Sequence, residues 1–374
     1  MNRLVVDGTV FHLQARGGIS SLYQEILPRM CEIEPSLQIF LITEYTPRQL
    51  LPSHSRIIHK PIPQIESYLR PNRVWGKAIP QIREWLKYRA IGNTQDKIWH
   101  STAYTTLRGW KGAQVVTVYD MIFELYPQVF PGDLTQRSQR AKRQSISQAD
   151  ALICISGTTK QDLINWYHVD ERCVTVIPLA CASTFSPMDG ENLLLPQDIQ
   201  RPFVLYVGNR RHHKNFDTLA KAFSIWARRK EFDLVTVGGR VWSEAELRTL
   251  CELGIADQVR RLSSIDDEML CMLYNKAEAF IYPSLYEGFG IPLLEAMSCG
   301  CPIVASRIPS TLEVAGQVPY YFEPSSAEDL IQALDFALTE GRQSERVSLG
   351  LERVRQYSWD KTAAQTLAVY KDLS

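Results

Sequence analysis

The stretch Tyr282–Ser306, YPSLYEGFGIPLLEAMSCGCPIVAS, decides how the rest of the chain is read. Just before it, Ala279–Tyr282 is an apolar run of strand character. Pro283–Gly290 then reads as a loop at that strand's carboxyl end. Pro292 suits the first turn of a helix, where a missing N–H is no loss. Gly300 suits the helix C-terminus, where a left-handed backbone is often needed, and a further strand starts at Pro302. The stretch is therefore one strand–helix–strand unit of a parallel sheet. Its chemistry lies in the turn. Gly288 and Gly290, on either side of Phe289, let backbone approach a ligand closely. The loop N–H groups and the positive end of the helix favour oxygen-rich or anionic groups. Glu287 and Glu295, with seven residues between them, are placed to accept hydrogen bonds from hydroxyls. A nucleotide sugar would use all of these groups. A plainer alternative stands beside this one: Glu295 complements the helix dipole, and Glu287 is a solvated loop residue.

The same alternation extends towards both ends of the 374-residue chain. Upstream, strands fit Arg3–Asp7, Gln38–Ile42, Lys97–His100, Gln114–Val118, Ala151–Ile155 and Cys173–Ile177. Helices fit Ser20–Glu32, Ile79–Arg89, Leu134–Gln148 and Thr158–Trp166. Pro178–Pro202, with Pro187, Gly190 and Pro196, breaks the pattern and reads as a linker. Strands then fit Phe203–Val207, Leu234–Val237, Gln258–Leu262, Ala279–Tyr282 and Pro302–Ala305, and helices fit Asn215–Arg229, Ser243–Leu253, Asp266–Asn275 and Pro292–Cys299. The tail is helical over Ala327–Leu338 and Ser358–Leu373. The expectation is α/β: two doubly wound parallel-sheet domains, 1–178 and 179–356, facing each other across a cleft, with ligands beyond the strands' carboxyl ends.

Composition narrows the function classes. An apolar fraction of 45% and a charged fraction of 22% are those of an ordinary globular protein. The neutral total hides an asymmetry: residues 1–178 carry 21 Lys+Arg and 15 Asp+Glu, and residues 179–374 carry 20 and 26. No apolar run is long enough for a membrane span, and no nucleic-acid motif accompanies the zero net charge. The eight cysteines are scattered, and Cys299-Gly300-Cys301 has no zinc spacing. Reduced thiols in a cytoplasmic protein are the plain reading.

A second candidate site is VLYVGNRRHHKNFDTLAKAF, Val204–Phe223, which reads as strand, loop and helix. Arg210, Arg211 and Lys214 cluster on the loop. Fixed cations there would stabilise the charge gathering on a leaving diphosphate, whereas a solvated basic loop is the alternative. Gly17 and Gly18 follow the first strand and open a helix, either as a phosphate approach or as a simple turn.

Taken together, Glu-x7-Glu on the Glu287-Gly-Phe-Gly290 loop, LLEAMSCGCPIVAS after it, Gly17-Gly18-Ile19, Val207-Gly208-Asn209 through Lys214-Asn215, and Tyr357-Ser358-Trp359 resemble the retaining glycosyltransferases of the GT-B fold, family GT4. The resemblance covers nearly the whole chain. It implies that Glu287 lies by the transferred sugar and Glu295 binds the ribose. It also implies that Lys214 with Arg210 or Arg211 holds the diphosphate, that Gly17-Gly18 touches phosphate or sugar, and that a terminal helix, 357–374, packs back on the first domain. The donor expected from it is a nucleotide diphosphate sugar, UDP-glucose or another UDP-sugar, used without a metal cofactor. The chain has no Asp-x-Asp pair, and Asp266-Asp267-Glu268 sits at a predicted helix start.

One position departs from the family pattern. Many relatives have His-Asp where this chain has Tyr119-Asp120. A tyrosine cannot act as a near-neutral acid or base, but it can donate a hydrogen bond to a sugar oxygen. Asp120 is expected to bind or orient the acceptor, and His100, at the end of another strand, is a candidate to reach it. Retention needs no histidine base if the leaving phosphate oxygen takes the acceptor proton. The expected acceptor is a glycan or lipid-linked saccharide in surface or extracellular polysaccharide assembly on the cytoplasmic side of the membrane. Tyr68–Arg89, with Arg70, Arg73, Trp75, Lys77, Arg83, Trp85, Lys87, Tyr88 and Arg89, suits contact with an anionic lipid surface or a lipid-diphosphate acceptor; the alternative is a solvated helix with its aromatic residues in the core. A nucleotide-sugar epimerase and a non-catalytic binding scaffold share the expected architecture and remain the competing classes.

Overall fold

The computed structural model describes residues 3–13, 17–65, 78–188, 195–263 and 265–373. The chain forms two compact units. One comprises Met1–Leu125, Phe130–Leu179 and Ser358–Ser374, the other Tyr126–Val129 and Ala180–Tyr357.

The first unit holds a fully parallel sheet of β1 (Arg3–Asp7), β2 (Gln38–Thr43), β3 (Ile57–Pro61), β4 (Ile98–Ser101), β5 (Gln114–Val118), β6 (Ala151–Cys154) and β7 (Val174–Val176). Their spatial order is β3-β2-β1-β4-β5-β6-β7. The second unit repeats the plan with β8 (Phe203–Val207), β9 (Asp233–Val237), β10 (Val259–Leu262), β11 (Ala279–Tyr282), β12 (Ile303–Ser306) and β13 (Tyr320–Phe322). Here the order is β10-β9-β8-β11-β12-β13, again all parallel.

Helices cover such sheets on both faces, so central strands are buried along their whole length. That is why β11 (AFIY) and β12 (IVAS) show continuous rather than alternating burial. The edge strand β3 is far less enclosed, with only Ile57 buried and His59 and Pro61 exposed. Its mixed IIHKP sequence hid it from pattern reading, as did the three-residue length of β13. Four unanticipated helices, Val10–Leu13, Ile122–Leu125, Pro309–Ala315 and Glu345–Arg353, are short, and the last buries only Val347 and Gly350. Helix starts follow side-chain chemistry. Ser156, Asp266, Ser326, Ser344 and Ser358 each accept a first-turn N–H, and Ser243 with Glu246 forms a full capping box. Each cap contributes about 1 kcal/mol.

Residues 178–188 and 195–202 contain neither helix nor strand; Gly190 lies outside the described residues. The last helix, Trp359–Asp372, lies in the first unit against the helix Gly18–Ile33. Arg29 Nε meets Asp360 Oδ1 at 2.9 Å, and Thr362 Oγ1 donates to the Pro178 carbonyl at 2.8 Å.

In each sheet the chain leaves one central strand, builds outward, and returns on that strand's other side. The reversal falls between β1 and β4 in the first unit and between β8 and β11 in the second. Loops diverge at such a reversal, leaving a crevice at the carboxyl ends of the strands.

Candidate active site

In the second unit the loops after β8 and β11 are stitched together at the reversal point. The Leu285 N–H donates to the His213 carbonyl at 2.8 Å. Asn215, left-handed at φ 54°, caps the helix Phe216–Ile225 and sends its amide to the Pro283 carbonyl at 2.9 Å and the Pro324 carbonyl at 2.7 Å. Asparagine is one of the few residues that takes this backbone shape cheaply. The fastening sets Lys214 opposite Glu287, with Nζ 2.5 Å from Oε1. Ser284 Oγ donates to the same oxygen at 2.6 Å. Both charged side chains are mostly enclosed yet reach solvent, at 19% and 12% exposure. A pair in that setting is oriented, and a ligand carrying both hydroxyls and phosphates can exchange with each partner.

Gly290 has φ 114°, and a Cβ there would meet Leu293 Cδ1 at 3.1 Å, so the turn into helix Ile291–Ser298 requires glycine. Gly300 ends that helix at φ 60°. Phe289 is buried with its ring against Tyr357, a packing residue under the loop. Glu295 stands in the second turn of that helix, one turn later than the sequence suggested, and its Oε2 accepts from the Tyr274 hydroxyl at 2.9 Å. Tyr274 thus orients Glu295, a pairing that crosses two helices and has no signature in the sequence.

The two arginines left open by the sequence separate. Arg210 has only 4% of its side chain exposed. Its guanidinium donates to Glu246 at 2.8 Å and to the Arg240 carbonyl at 2.6 Å, and lies 3.8 Å over the Trp242 ring. It fastens the β9 loop, and its donors are engaged within the protein. Arg211 is exposed on the Lys214 loop. Reading the sequence overlooked Gly238-Gly239 directly after β9. Both have positive φ, and a Cβ at Gly239 would strike Arg210 Nη1 at 2.6 Å. The signal was a glycine pair at a strand's carboxyl end.

In the first unit the reversal point is closed by hydroxyls. Asp7, 2% exposed at the end of β1, accepts from Thr9 N–H at 3.0 Å and from Thr105 Oγ1 at 2.7 Å. Burial raises its pKa above the usual carboxylate value, against the pull of these donors. The Tyr119 hydroxyl donates to the Thr102 carbonyl at 3.0 Å and lies 2.8 Å from the Tyr23 hydroxyl. His100 is enclosed at 1% exposure, bonded to Thr117 Oγ1 at 2.8 Å, to Tyr23 and to Tyr370 of the last helix. Burial pushes its pKa down to about 3 and that of Tyr119 well up, so at neutral pH both are uncharged. The expected acceptor contacts of His100 and of the Tyr119 hydroxyl do not fit this arrangement: both side chains spend their polar atoms on the interior. Asp120 is half-exposed beyond β5, with Oδ1 accepting from the Ile122 N–H at 3.0 Å. Gly17 precedes its helix in an extended conformation, φ 167°, which any residue can adopt, and its carbonyl accepts from Ser20 Oγ at 2.9 Å.

The basic–aromatic segment resolves in part. Tyr68, Arg70, Arg73, Trp75 and Lys77 lie outside the described residues. On helix Ala78–Ile91, Arg83 and the buried Lys87 both pair with Glu44, so they act as internal cations. Trp85 is 55% exposed beneath the Arg89 guanidinium. No helix among the described residues is long and apolar enough to cross a membrane.

Comparison with known proteins agrees with this construction. Residues 195–350 match the model of "Glycosyl transferases group 1", and residues 36–181 that of "Glycosyltransferase Family 4". O-antigen chain mannosyltransferase B of Escherichia coli is 29% identical over 300 residues, 78% of this chain and 77% of its own. Among solved structures, sucrose-phosphate synthase of Thermosynechococcus elongatus superposes with a TM-score of 0.74 at 20% identity, covering 100% of this chain and 99% of that one. Anabaena Alr3699/HepE, solved with UDP and glucose, superposes at 0.71 and 13% identity, covering 100% of both chains. With two Rossmann-like parallel-sheet units and matches to both family models, the chain belongs to the family 4 type glycosyltransferases of the GT-B fold.

Proposed function

We propose that this glycosyltransferase moves a hexose, with retention of configuration and without a metal ion, from a nucleoside diphosphate sugar to a hydroxyl of a glycan or lipid-linked saccharide in surface polysaccharide assembly. The observation that carries the reading is the 2.5 Å Lys214–Glu287 pair at the β8/β11 reversal. In the reaction the donor's C1–O bond to diphosphate breaks while the acceptor oxygen bonds C1 on the same face. The acceptor proton passes to the departing phosphate oxygen. Lys214, assisted by Arg211, stabilises the charge on that diphosphate. Glu287 accepts from the sugar's hydroxyls, and Glu295, steadied by Tyr274, accepts from the ribose. Gly17 and Gly18 lie against phosphate or sugar, and Asp120 orients the acceptor hydroxyl. Work at the cytoplasmic membrane face, with Trp85 and Arg89 against anionic lipid, fits a lipid-linked acceptor.

Two donors compete. The family resemblance led to the expectation of UDP-glucose or another UDP-sugar, and the mannosyltransferase relative favours a mannose nucleotide. A thermal-shift screen of UDP, GDP, ADP and their sugars separates them, since a ligand at 100 times its Kd adds about 2.7 kcal/mol of stability. Release of nucleoside diphosphate with saccharide acceptors, unchanged by excess chelator, is the expected companion result. An epimerised donor without release, or binding without turnover across the acceptors, would replace this reading.

A further inference from the structure

The geometry points to Lys142 as a positioning residue for transfer, a buried ammonium that holds the backbone at Asp120; this inference rests on the acceptor role proposed for Asp120. Lys142 stands on helix Gly132–Ser147 with 1% of its side chain exposed. Its Nζ donates to Glu124 Oε2 at 2.7 Å and to the Asp120 carbonyl at 2.9 Å, and lies 5.3 Å from the centre of the Tyr104 ring. Glu124, likewise enclosed, accepts from the Tyr167 hydroxyl at 2.8 Å. The backbone just before Asp120 is held as well. The Tyr119 N–H donates to the Tyr104 hydroxyl at 3.4 Å, and Thr159 Oγ1 donates to the Tyr119 carbonyl at 3.5 Å. The Tyr119 N–H, the Tyr119 carbonyl and the Asp120 carbonyl each have a fixed partner, and Lys142 supplies the charged one.

Stability alone does not account for the lysine. A buried ion pair is often no more stabilising than apolar side chains of equal volume. An apolar pair would keep the helices together, but it would leave the Asp120 carbonyl without its donor. A carbonyl bound by a fixed ammonium is held more firmly than one bonded to a neutral group, and small displacements of positioning groups are expensive in transfer reactions.

The test uses the full-length enzyme, UDP-glucose and GDP-mannose as donors and methyl α-mannoside as the acceptor probe. The double variant Lys142→Met/Glu124→Gln removes the ammonium without stranding a buried carboxylate, and its amide still accepts from Tyr167. Tyr167→Phe removes the other partner of Glu124 and keeps both the Lys142–Glu124 pair and the Lys142–Asp120 bond. The double variant is expected to lose about tenfold or more in kcat with donor affinity unchanged. Hydrogen exchange across residues 119–125 should accelerate by a similar factor, and Tyr167→Phe should match the parent in both measurements. In an Asp120→Asn background the double variant should add no further loss. Unchanged exchange over 119–125 in the double variant overturns the inference whether or not the probe is turned over. So do equal losses in Tyr167→Phe, or additive losses with Asp120→Asn. Full activity of Asp120→Asn itself would instead remove the acceptor role on which the inference rests. If the double variant fails to fold, Lys142→Arg keeps the charge for Glu124 but replaces a point donor with a planar fork. Parental kcat and exchange in that variant would overturn the inference.

Discussion

The two units reverse their chain direction at equivalent places in their sheets, yet the two places hold opposite chemistry. Between β8 and β11 stand an ammonium and a carboxylate, partly exposed and touching each other. Between β1 and β4, and on β5 beside them, stand threonines, tyrosines, a neutral histidine and a buried aspartate whose polar atoms satisfy one another. The topology therefore makes a crevice in both units, and the side chains decide what it is for. A pair of opposite charges that still meets water can change partners when a ligand arrives. A closed ring of hydroxyls cannot do so without opening buried polar groups, and that is expensive. The second reversal is arranged for exchange and the first for rigidity.

The largest expected effect tests the exchangeable side. Lys214→Ala should lower kcat on the order of 10²–10³-fold, read as nucleoside diphosphate release at saturating donor. Near-parental turnover would place the diphosphate elsewhere. The rigid side should answer to acid. His100 titrates near 6.5 when unfolded and is held down to about 3 when folded. Below about pH 6.5 the unfolded chain takes up a proton that the native chain refuses, so stability falls as pH drops, by at most about 1.4 kcal/mol per unit until the lower pKa is reached. Burial raises the Asp7 pKa, which works in the opposite sense: the native carboxyl takes up its proton first, and acid relieves the burial penalty. His100→Gln leaves Asp7 in place and removes only the histidine contribution. Urea unfolding at pH 7 and pH 4.5 should show the variant losing about 2–3 kcal/mol less than the parent; identical losses would mean that His100 is open to protonation. The smallest effect distinguishes a structural hydroxyl from a substrate contact. Tyr119→Phe should cost about 1 kcal/mol in stability and leave transfer near parental. A large fall in kcat at unchanged stability would move Tyr119 to the exchangeable side.

Much of this contrast was legible, and the missing parts share a cause. The β11 loop could be read because its information is local: an apolar strand, two glycines, a proline and a carboxylate on each side lie within one strand–helix–strand unit. Lys214 could be read for the same reason, as a cation at the end of an apolar strand. What was not legible were pairings between distant residues. Arg210 and Arg211 are adjacent and alike in sequence, and only Glu246, 36 positions on, and the ring of Trp242 show which of them is fastened inside. His100 ends a strand and invited a functional role, until Tyr370, 270 positions away, enclosed it. Tyr274 and Lys142 gave no signal, because each acts through a partner on a different element.

The sequence by itself determined the period of the strands and helices, the parallel α/β class, the glycine-bounded loop of Glu287 and the family to which the chain belongs. Each of these follows from residues close together along the chain, where backbone geometry and burial pattern act. Tertiary structure alone decided which polar side chains remain open to a ligand and which are consumed by the interior. A buried donor or acceptor must find a partner wherever the fold supplies one, and that partner's position in the chain bears no relation to its own.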